Sequence, residues 1–347
     1  MRRALFALAL APFAVSLSNG CSAPAARPAL VDDSRISVQH TLTVEAMRAA
    51  LIDYLWRADG FPVDKLPAAV ERGVAPPIDG LDGLYASVDL YAIEMDGGFV
   101  SYAWRLRPVA PRHRLLVFHH GHADDLASDG GAQSIAFFLQ NGYDVIALYM
   151  LDYGPDAEPL PSHDAILADG TPRPYSAMKL FVEPVAVALN QALAEDRFDV
   201  VAMMGVSGGG WTTTVYAALD PRVQYSFPVA GSLPLYLRTR PQDVGDAEQF
   251  FAPFYRIAGY PDLYVMGAAG KGRRQVQVLN EFDPCCFTPD VDLGYVSAVA
   301  ADVKRMRGHG TFALAIDRGQ TDHTISDWTL RSVIFPSLED TLAPSVQ

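Results

Sequence analysis

A run of apolar residues that ends in glycines around one serine constrains this chain more than any other stretch. Residues 200–204, Val-Val-Ala-Met-Met, are typical of a buried strand, and Gly205-Val206-Ser207-Gly208-Gly209 follows directly. Residues 211–219 then have the composition of a helix that ends at Asp220-Pro221. The pattern predicts a strand, a sharp turn with Ser207 at its apex, and a helix.

Such a turn suits a nucleophilic serine. A serine hydroxyl must stand clear of the backbone, and a base must take its proton before it attacks a carbonyl carbon. A turn this tight has no room for side chains two residues on either side, where Gly205 and Gly209 stand. The N–H of Gly208 would then face the developing oxyanion. A glycine-rich turn with an incidental serine is the alternative.

The first residues have the pattern of a targeting segment. Arg2 and Arg3 precede an apolar stretch over residues 4–17, and small residues follow. Residues 1–26 are therefore predicted to be a signal peptide, too short to span a membrane, and the protein to be periplasmic, an outer-membrane lipoprotein or secreted.

Cys21 adds an alternative for the processing of this segment. It follows Gly20 as a lipid-attachment cysteine would, although Ser18 stands where an aliphatic residue is usual. Lipidation at Cys21 and ordinary cleavage near Ala23 or Ala26 both remain open. A lipid at Cys21 would be the chain's link to a membrane.

Composition excludes some partners. The net charge of −13 argues against a nucleic-acid partner, since phosphate binding needs a basic surface. It favours a neutral or cationic ligand. Half of the residues are hydrophobic, which allows a large core, and no later run reaches the apolar length of a membrane span. The oligomeric state cannot be predicted.

The rest of the chain alternates strands and helices. A polar linker over residues 24–37 precedes a helix over 44–56, with Thr43 as its N-cap, and strands 86–95 and 99–107 form a hairpin around Asp96-Gly97-Gly98. Further strands are predicted at 115–118, 143–149, 200–204, 225–229, 275–279 and 312–316, and helices at 133–140, 177–194 (kinked at Pro184) and 328–338.

This alternation predicts an α/β fold: a mixed, mostly parallel sheet with helices on both faces. Residues 27–85 form a linker and helical extension, and residues 86–347 the main domain. Two cap insertions are expected, at about 151–176 and 231–274. The second is rich in aromatic residues, which either form a pocket wall or pack the insertion onto the domain: Phe250, Phe251, Phe254, Tyr255, Tyr260 and Tyr264.

A base for Ser207 must come from a later histidine. In folds with this strand–turn–helix serine, an acid and then a histidine follow the nucleophile in the chain. Only His309 and His323 lie downstream. His309 precedes its strand, at the wrong end of the sheet, whereas His323 follows the strand at the end where Ser207 lies. His323 is therefore the predicted general base.

The orienting acid is expected in the loop after strand 275–279. Asp283 is the first aspartate of that loop and lies within reach of a histidine there. Glu281 and Asp290 are the alternatives.

These residues together resemble the α/β-hydrolase superfamily, over roughly residues 86–338. Gly205 to Gly209 resemble its nucleophile elbow, residues 280–284 its acid loop, and His323 its histidine loop. His119-His120-Gly121-His122 resembles the family's His-Gly-x stretch, which implies that the second oxyanion donor is the backbone N–H of His122. The broad features are similar to exported carboxylesterases and acetylxylan-esterase-like hydrolases. The resemblance implies an exported serine carboxylesterase that acts on a small-molecule ester without a cofactor or metal.

Departures and alternatives remain. The bulky His122 and the adjacent Cys285 and Cys286 depart from the common pattern; the two cysteines either form a strained vicinal disulfide or stay as buried thiols. The same triad would also serve a peptidase or amidase.

Two further alternatives belong to other classes. His120-x-His122-x-Asp124 begins like a zinc signature, but aspartate stands at position 125 where that pattern has histidine, and His163 arrives too early. Activity that is lost with chelator and restored by zinc would favour this alternative. A non-catalytic binding protein that keeps the fold is the other.

Overall fold

The structure is a computed structural model that describes residues 28–123, 125–154, 162–170 and 172–339. The predicted signal peptide and Cys21 lie outside the described residues.

A nine-stranded sheet forms the centre of the molecule, with the order β1-β2-β3-β5-β4-β6-β7-β8-β9. β1, β2 and β3 pair antiparallel, as do β3 and β5, and all later neighbours pair parallel. The mixed, mostly parallel sheet is confirmed. The strands are β1 (Ala69–Arg72), β2 (Tyr85–Glu94), β3 (Val100–Pro108), β4 (Arg114–His119), β5 (Tyr143–Leu148), β6 (Val200–Val206), β7 (Tyr225–Val229), β8 (Arg274–Asn280) and β9 (Thr311–Asp317).

Helices cover both faces of the sheet. They are α1 (Thr41–Trp56), α2 (Gly131–Gln140), α3 (His163–Ala168), α4 (Glu183–Glu195), α5 (Gly208–Leu219), α6 (Ala252–Tyr255), α7 (Tyr260–Ala268), α8 (Gly294–Arg305) and α9 (Phe335–Glu339). One apolar core lies under α1, α4, α5, α7 and α8, and a second under α2 and the C-terminal segment. Within the described ranges, none of these helices is long and apolar enough to cross a membrane.

The two cores follow from the alternation of side chains along a strand. In β6, Val201 and Met203 enter the first core, whereas Ala202, Met204 and Val206 enter the second. All seven residues of β6 are buried, which is why its sequence is continuously apolar.

Three helix boundaries differ from the predictions. α1 begins at Thr41 with His40 as its N-cap; Thr43 is the third helical residue, and its hydroxyl accepts from the His40 N–H at 3.1 Å. Pro184 does not kink a helix but stands in the first turn of α4, where its missing N–H costs nothing. The closing helix is π-helical over Thr329–Ile334 before α9 begins.

Five described elements were not predicted, namely β1, α3, α6, α7 and α8, and the aromatic insertion packs inward. β1 is only four residues long, whereas α8 buries Tyr295, Val299 and Val303 at helical spacing, a signal that the sequence interpretation missed. The aromatic residues of α6 and α7 lie in the first core with at most 2% exposure, so they pack the insertion onto the domain: Phe254, Tyr255, Tyr260 and Tyr264. Phe250 and Phe251 are only partly buried against the same core.

The described part of the predicted linker packs on the domain. Asp33 is 4% exposed, and its carboxylate accepts from the backbone N–H groups of Leu235, Tyr236 and Tyr260 at 3.0–3.1 Å. Burial raises the pKa of Asp33 in spite of these bonds. Residues 28–37 thus hold the segment after β7 in place.

The strand order creates a crevice at one end of the sheet. The chain places β5 on one side of β4 and β6 on the other, so the connections diverge at the carboxyl end of β4. Ligands of open α/β sheets bind at such a switch point. The loops after β4, β6, β8 and β9 at this end carry His122, Ser207, Asp283 and His323.

Candidate active site

Ser207 occupies the turn between β6 and α5 in a backbone conformation that few serines adopt. Its φ is 58° and its ψ is −126°, a sparsely populated region that costs about 1–3 kcal/mol for a residue with a side chain. Two hydrogen bonds hold the turn, from Ser207 N to Val229 O at 3.0 Å and from Trp211 N to Ser207 O at 2.9 Å. The serine side chain stands at the head of α5.

The glycines of the turn are required by close packing of the backbone. A Cβ at Gly205 would run into the carbonyl oxygen of Gly209, and a Cβ at Gly209 into that of His119. The spacing read from the sequence therefore has a steric cause: β4, β6 and α5 meet without side chains between them.

The loop after β4 lies against the serine. A Cβ at Gly121 would lie 2.7 Å from Ser207 Cβ and 3.1 Å from Gly208 N. The backbone N–H groups of Gly208 and His122 donate no hydrogen bond to another described residue. Gly208 directly follows Ser207, and His122 directly follows Gly121, the residue that lies against Ser207.

The rings of His119 and His120 have structural roles. His119 Nδ1 donates to the His120 carbonyl oxygen at 2.8 Å, and burial lowers its pKa to about 4. His120 Nε2 donates to Ser128 O at 3.1 Å, and burial lowers its pKa as well. His120 belongs to no described group with metal-ligand spacing, and Asp124 lies outside the described residues. The zinc signature considered from the sequence is not assembled at His120.

Asp283 and His323 are in contact. His323 Nδ1 lies 3.0 Å from Oδ1 and 2.9 Å from Oδ2 of Asp283, whose side chain is fully buried. Oδ1 also accepts from the backbone N–H groups of Cys285 at 2.9 Å and Cys286 at 3.3 Å. Asp283 thus accepts from both backbone donors and from His323, which orients the imidazole with its Nδ1 proton toward the carboxylate.

The alternatives to these two residues lie elsewhere. Glu281 pairs with Arg318 at 3.8 Å, and Asp290 accepts from Thr288 Oγ1 at 2.6 Å. His309 bonds to the Lys304 carbonyl oxygen before β9, at the opposite end of the sheet. Among the described residues, neither acid forms an ion pair or a hydrogen bond with His323, whereas Asp283 forms both.

Asn280 is a residue of this site that the sequence interpretation missed. Its Nδ2 donates to Asp283 Oδ2 at 3.3 Å and to the carbonyl oxygens of Asp322 and Thr324 at 3.3 and 3.0 Å. It therefore joins the acid loop to the histidine loop. Its position as the last residue of β8, directly before the acid loop, is the signal that could have indicated it.

His323 Nε2 is the atom that would exchange a proton with the serine. It is buried and has no hydrogen-bond partner among the described residues, so no bond to Ser207 is formed in this structure. Bonds of this kind are often long in the absence of substrate and tighten when it binds. The structure thus contains a hydrogen bond between Asp283 and His323. Separately, Gly121 packs against Ser207 and Gly208.

The adjacent cysteines support the acid through their backbone. Their N–H groups bond to Asp283, as described above. Cys286 is a free, buried thiol, and burial raises its pKa well above the ordinary range. The vicinal disulfide is not formed, because Cys286 is free, and a thiol with a raised pKa is a poor nucleophile.

The side chain of His122 joins a buried polar cluster that the sequence did not predict. Glu248 Oε1 lies 3.2 Å from His122 Nε2, and Glu248 Oε2 lies 2.9 Å from His163 Nδ1. Burial acts to lower the pKa of His163, yet the Glu248 carboxylate raises it to about 9. Burial acts to raise the pKa of Glu248, yet His163 brings it well below its usual range. These residues are distant in sequence, and only the fold brings them together.

Comparisons with known proteins address the fold. No family model and no curated protein sequence matches the chain. Solved structures do match. Methylesterase BT1017 is similar to this chain with a TM-score of 0.61 and 18% identity, over 86% of this chain and 64% of that chain. The chain thus spans less than two thirds of that methylesterase.

Two acetyl xylan esterases match over most of both chains. Acetyl xylan esterase 1 from Thermoanaerobacterium sp. JW/SL YS485 has a TM-score of 0.58 at 15% identity, over 87% of this chain and 95% of that one. Acetyl xylan esterase from Paenibacillus sp. R4 has a TM-score of 0.51 at 14% identity, over 91% and 95%. The sheet order, the helices on both faces and these neighbours show that the protein has the α/β-hydrolase fold.

Proposed function

We propose that the protein is an exported serine hydrolase that cleaves carboxylic esters through an acyl-enzyme. The observation that carries the proposal is the position of Ser207, at a sharp turn with positive φ, directly before Gly208 and in close contact with Gly121 of the loop after β4. The contact between Asp283 and His323 supports it independently. Export rests on the sequence of residues 1–26 alone.

The proposed reaction uses each group in turn. Ser207 Oγ attacks the ester carbonyl carbon while His323 Nε2 takes its proton, and the N–H groups of Gly208 and His122 stabilise the oxyanion. His323 then gives the proton to the departing alcohol, and Asp283 keeps the imidazole in the required tautomer. Water repeats these steps on the acyl-enzyme and regenerates Ser207.

The neighbours guide the choice of ester. They are named acetyl xylan esterases and a methylesterase, so esters with a small acyl or alcohol group on a carbohydrate are the first substrates to test. Amide hydrolysis would use the same groups, and an amide panel serves as the comparison.

Covalent labelling tests the nucleophile directly. A fluorophosphonate should add one adduct to the wild-type protein, measured by intact mass, and none to Ser207→Ala. Ser297→Ala, which changes an exposed serine on α8, should label like the wild type. Label that persists in Ser207→Ala, or folded wild-type protein that takes up none, would exclude this mechanism.

A further inference from the structure

His122, His163 and Glu248 form a cluster from three separate parts of the chain, called here the His-His-Glu cluster. His122 follows β4, His163 begins α3, and Glu248 lies in a 3-10 turn at Ala247–Gln249. Each offers one ligand atom, and these atoms all lie within 4.8 Å of one another.

Each imidazole of the cluster is oriented by a partner on its other nitrogen. His163 Nε2 donates to the carbonyl oxygen of Leu151 at 2.9 Å. His122 Nδ1 lies 3.3 Å from Asp246 Oδ2. In metal sites the ligating histidine almost always bonds through its second nitrogen to a carbonyl or a carboxylate. Here both rings present their remaining nitrogen to Glu248.

Two atoms of the cluster are buried without a hydrogen bond. The side chain of Glu248 is 0% exposed and that of His122 is 5% exposed. Glu248 Oε1 and His122 Nε2 are 3.2 Å apart, yet neither has a hydrogen-bond partner in the described ranges. A buried acceptor left without a hydrogen bond costs about 1–3 kcal/mol, and more if it is charged. The His163 contact satisfies only the other oxygen of Glu248. A cation between these atoms would satisfy both.

We propose that the His-His-Glu cluster binds one zinc ion through His122 Nε2, His163 Nδ1 and the Glu248 carboxylate. Two imidazoles and one carboxylate are a zinc ligand set, and they leave a fourth position for water or substrate. Calcium and magnesium prefer oxygen ligands throughout. The site goes beyond the proposed serine mechanism and does not depend on it.

Such an ion would hold the loop that carries the proposed oxyanion donor. A Cβ at Gly208 would lie 2.6 Å from His122 Cε1, so the imidazole covers the residue after the nucleophile. The ion would connect this loop to α3 and to the turn of Glu248. We therefore expect zinc to raise the Tm of the protein.

The test measures bound metal on the folded, full protein. Wild-type protein that is stripped with chelator, loaded with zinc sulfate and desalted should retain about one zinc per chain by mass spectrometry. Cobalt in its place should give the intense visible absorption of a four-coordinate ion. Ser207→Ala should bind zinc like the wild type, so that a failure of this proposal and a failure of the serine mechanism are distinguishable.

Two variants remove one ligand atom and keep the outer hydrogen bond. His163→Gln retains a donor for Leu151 O, and His122→Asn retains one for Asp246. Each should lower zinc affinity more than about 100-fold, beyond the 10- to 100-fold typical of outer partners. His309→Gln, at the other end of the sheet, should bind normally. Wild-type protein that retains no zinc, or ligand variants that bind as tightly as the wild type, would overturn the proposal.

Discussion

Replacing Asp283 with asparagine tests the orientation of His323. The two carboxylate oxygens have different surroundings: Oδ1 accepts from the N–H groups of Cys285 and Cys286 as well as from His323, whereas Oδ2 accepts from His323 and Asn280. In Asp283→Asn, an amide nitrogen at the Oδ1 position would face two backbone N–H donors. At the Oδ2 position, called here the second position, it would face only the Asn280 side-chain donor. It should therefore take the second position.

An amide N–H at that position faces Nδ1 of His323 and requires it to accept a hydrogen bond. The proton of His323 then moves to Nε2, which can no longer take the serine proton. In a serine protease triad the equivalent change lowers kcat about 10⁴-fold, which corresponds to about 5.5 kcal/mol of activation free energy. We expect a similar loss here, with the fold intact.

The assay is kcat and KM for a p-nitrophenyl acetate substrate, together with the rate of fluorophosphonate labelling. Glu281→Gln and Asp290→Asn are matched controls, because these acids pair with Arg318 and Thr288 instead. Both controls should stay within about threefold of wild type. An Asp283→Asn variant whose kcat stays within about tenfold of wild type would refute the assignment of Asp283. Equal losses of kcat in all three variants would show that the effect is not specific to Asp283.

Three further changes test the surroundings of the site. Gly121→Ala places a Cβ 2.7 Å from Ser207 Cβ, so the loop after β4 must shift. Because that loop carries the proposed oxyanion donor His122, kcat should fall about 100-fold. An unchanged kcat would contradict the proposed role of this loop. Asn280→Ala removes the link between the acid and histidine loops, so kcat should fall about tenfold with little change in KM. A lower urea midpoint with normal kcat would instead mean that Asn280 serves stability alone. His119 has a pKa of about 4 in the folded state, below its unfolded value of about 6.5, so the unfolded state binds more protons as the pH falls. Because of His119, the free energy of unfolding should therefore fall by about 2 kcal/mol as the pH is lowered from 7 to 5. His119→Asn keeps the donor to His120 O and should lose less stability over that range in urea unfolding, and an identical loss would show that His119 is not responsible.

The sheet and the ends of its strands could be predicted because the sequence carries local signals for them. β6 is continuously apolar, the hairpin of β2 and β3 has its glycine turn, and the turn at Ser207 needs Gly205 and Gly209 for steric reasons. Asp283 is predicted as the first aspartate of the loop after β8, and the structure places its carboxylate 2.9 Å from His323 Nδ1. These signals act over a few residues.

Long-range packing could not be predicted in the same way. From the sequence, Asp33 belongs to a polar linker. In the structure its carboxylate is buried and accepts from the N–H groups of Leu235, Tyr236 and Tyr260. The sequence leaves open whether the tyrosines of α7 form a pocket wall or pack the insertion, and only the structure shows that they enter the core. Glu248 and His163 are 85 residues apart and carry no shared motif. Contacts of this kind depend on how insertions fold back, which no local pattern specifies.

The backbone of Ser207 implies a conflict between heat resistance and reactivity at one position. Glycine adopts a positive φ without strain, so Ser207→Gly would fold into the same turn more readily than the natural residue. Selection for survival at high temperature alone would therefore favour variants that have lost the serine hydroxyl. A search for stabilised forms of this protein must score activity in every round, because selection for stability alone would favour a turn without the proposed nucleophile.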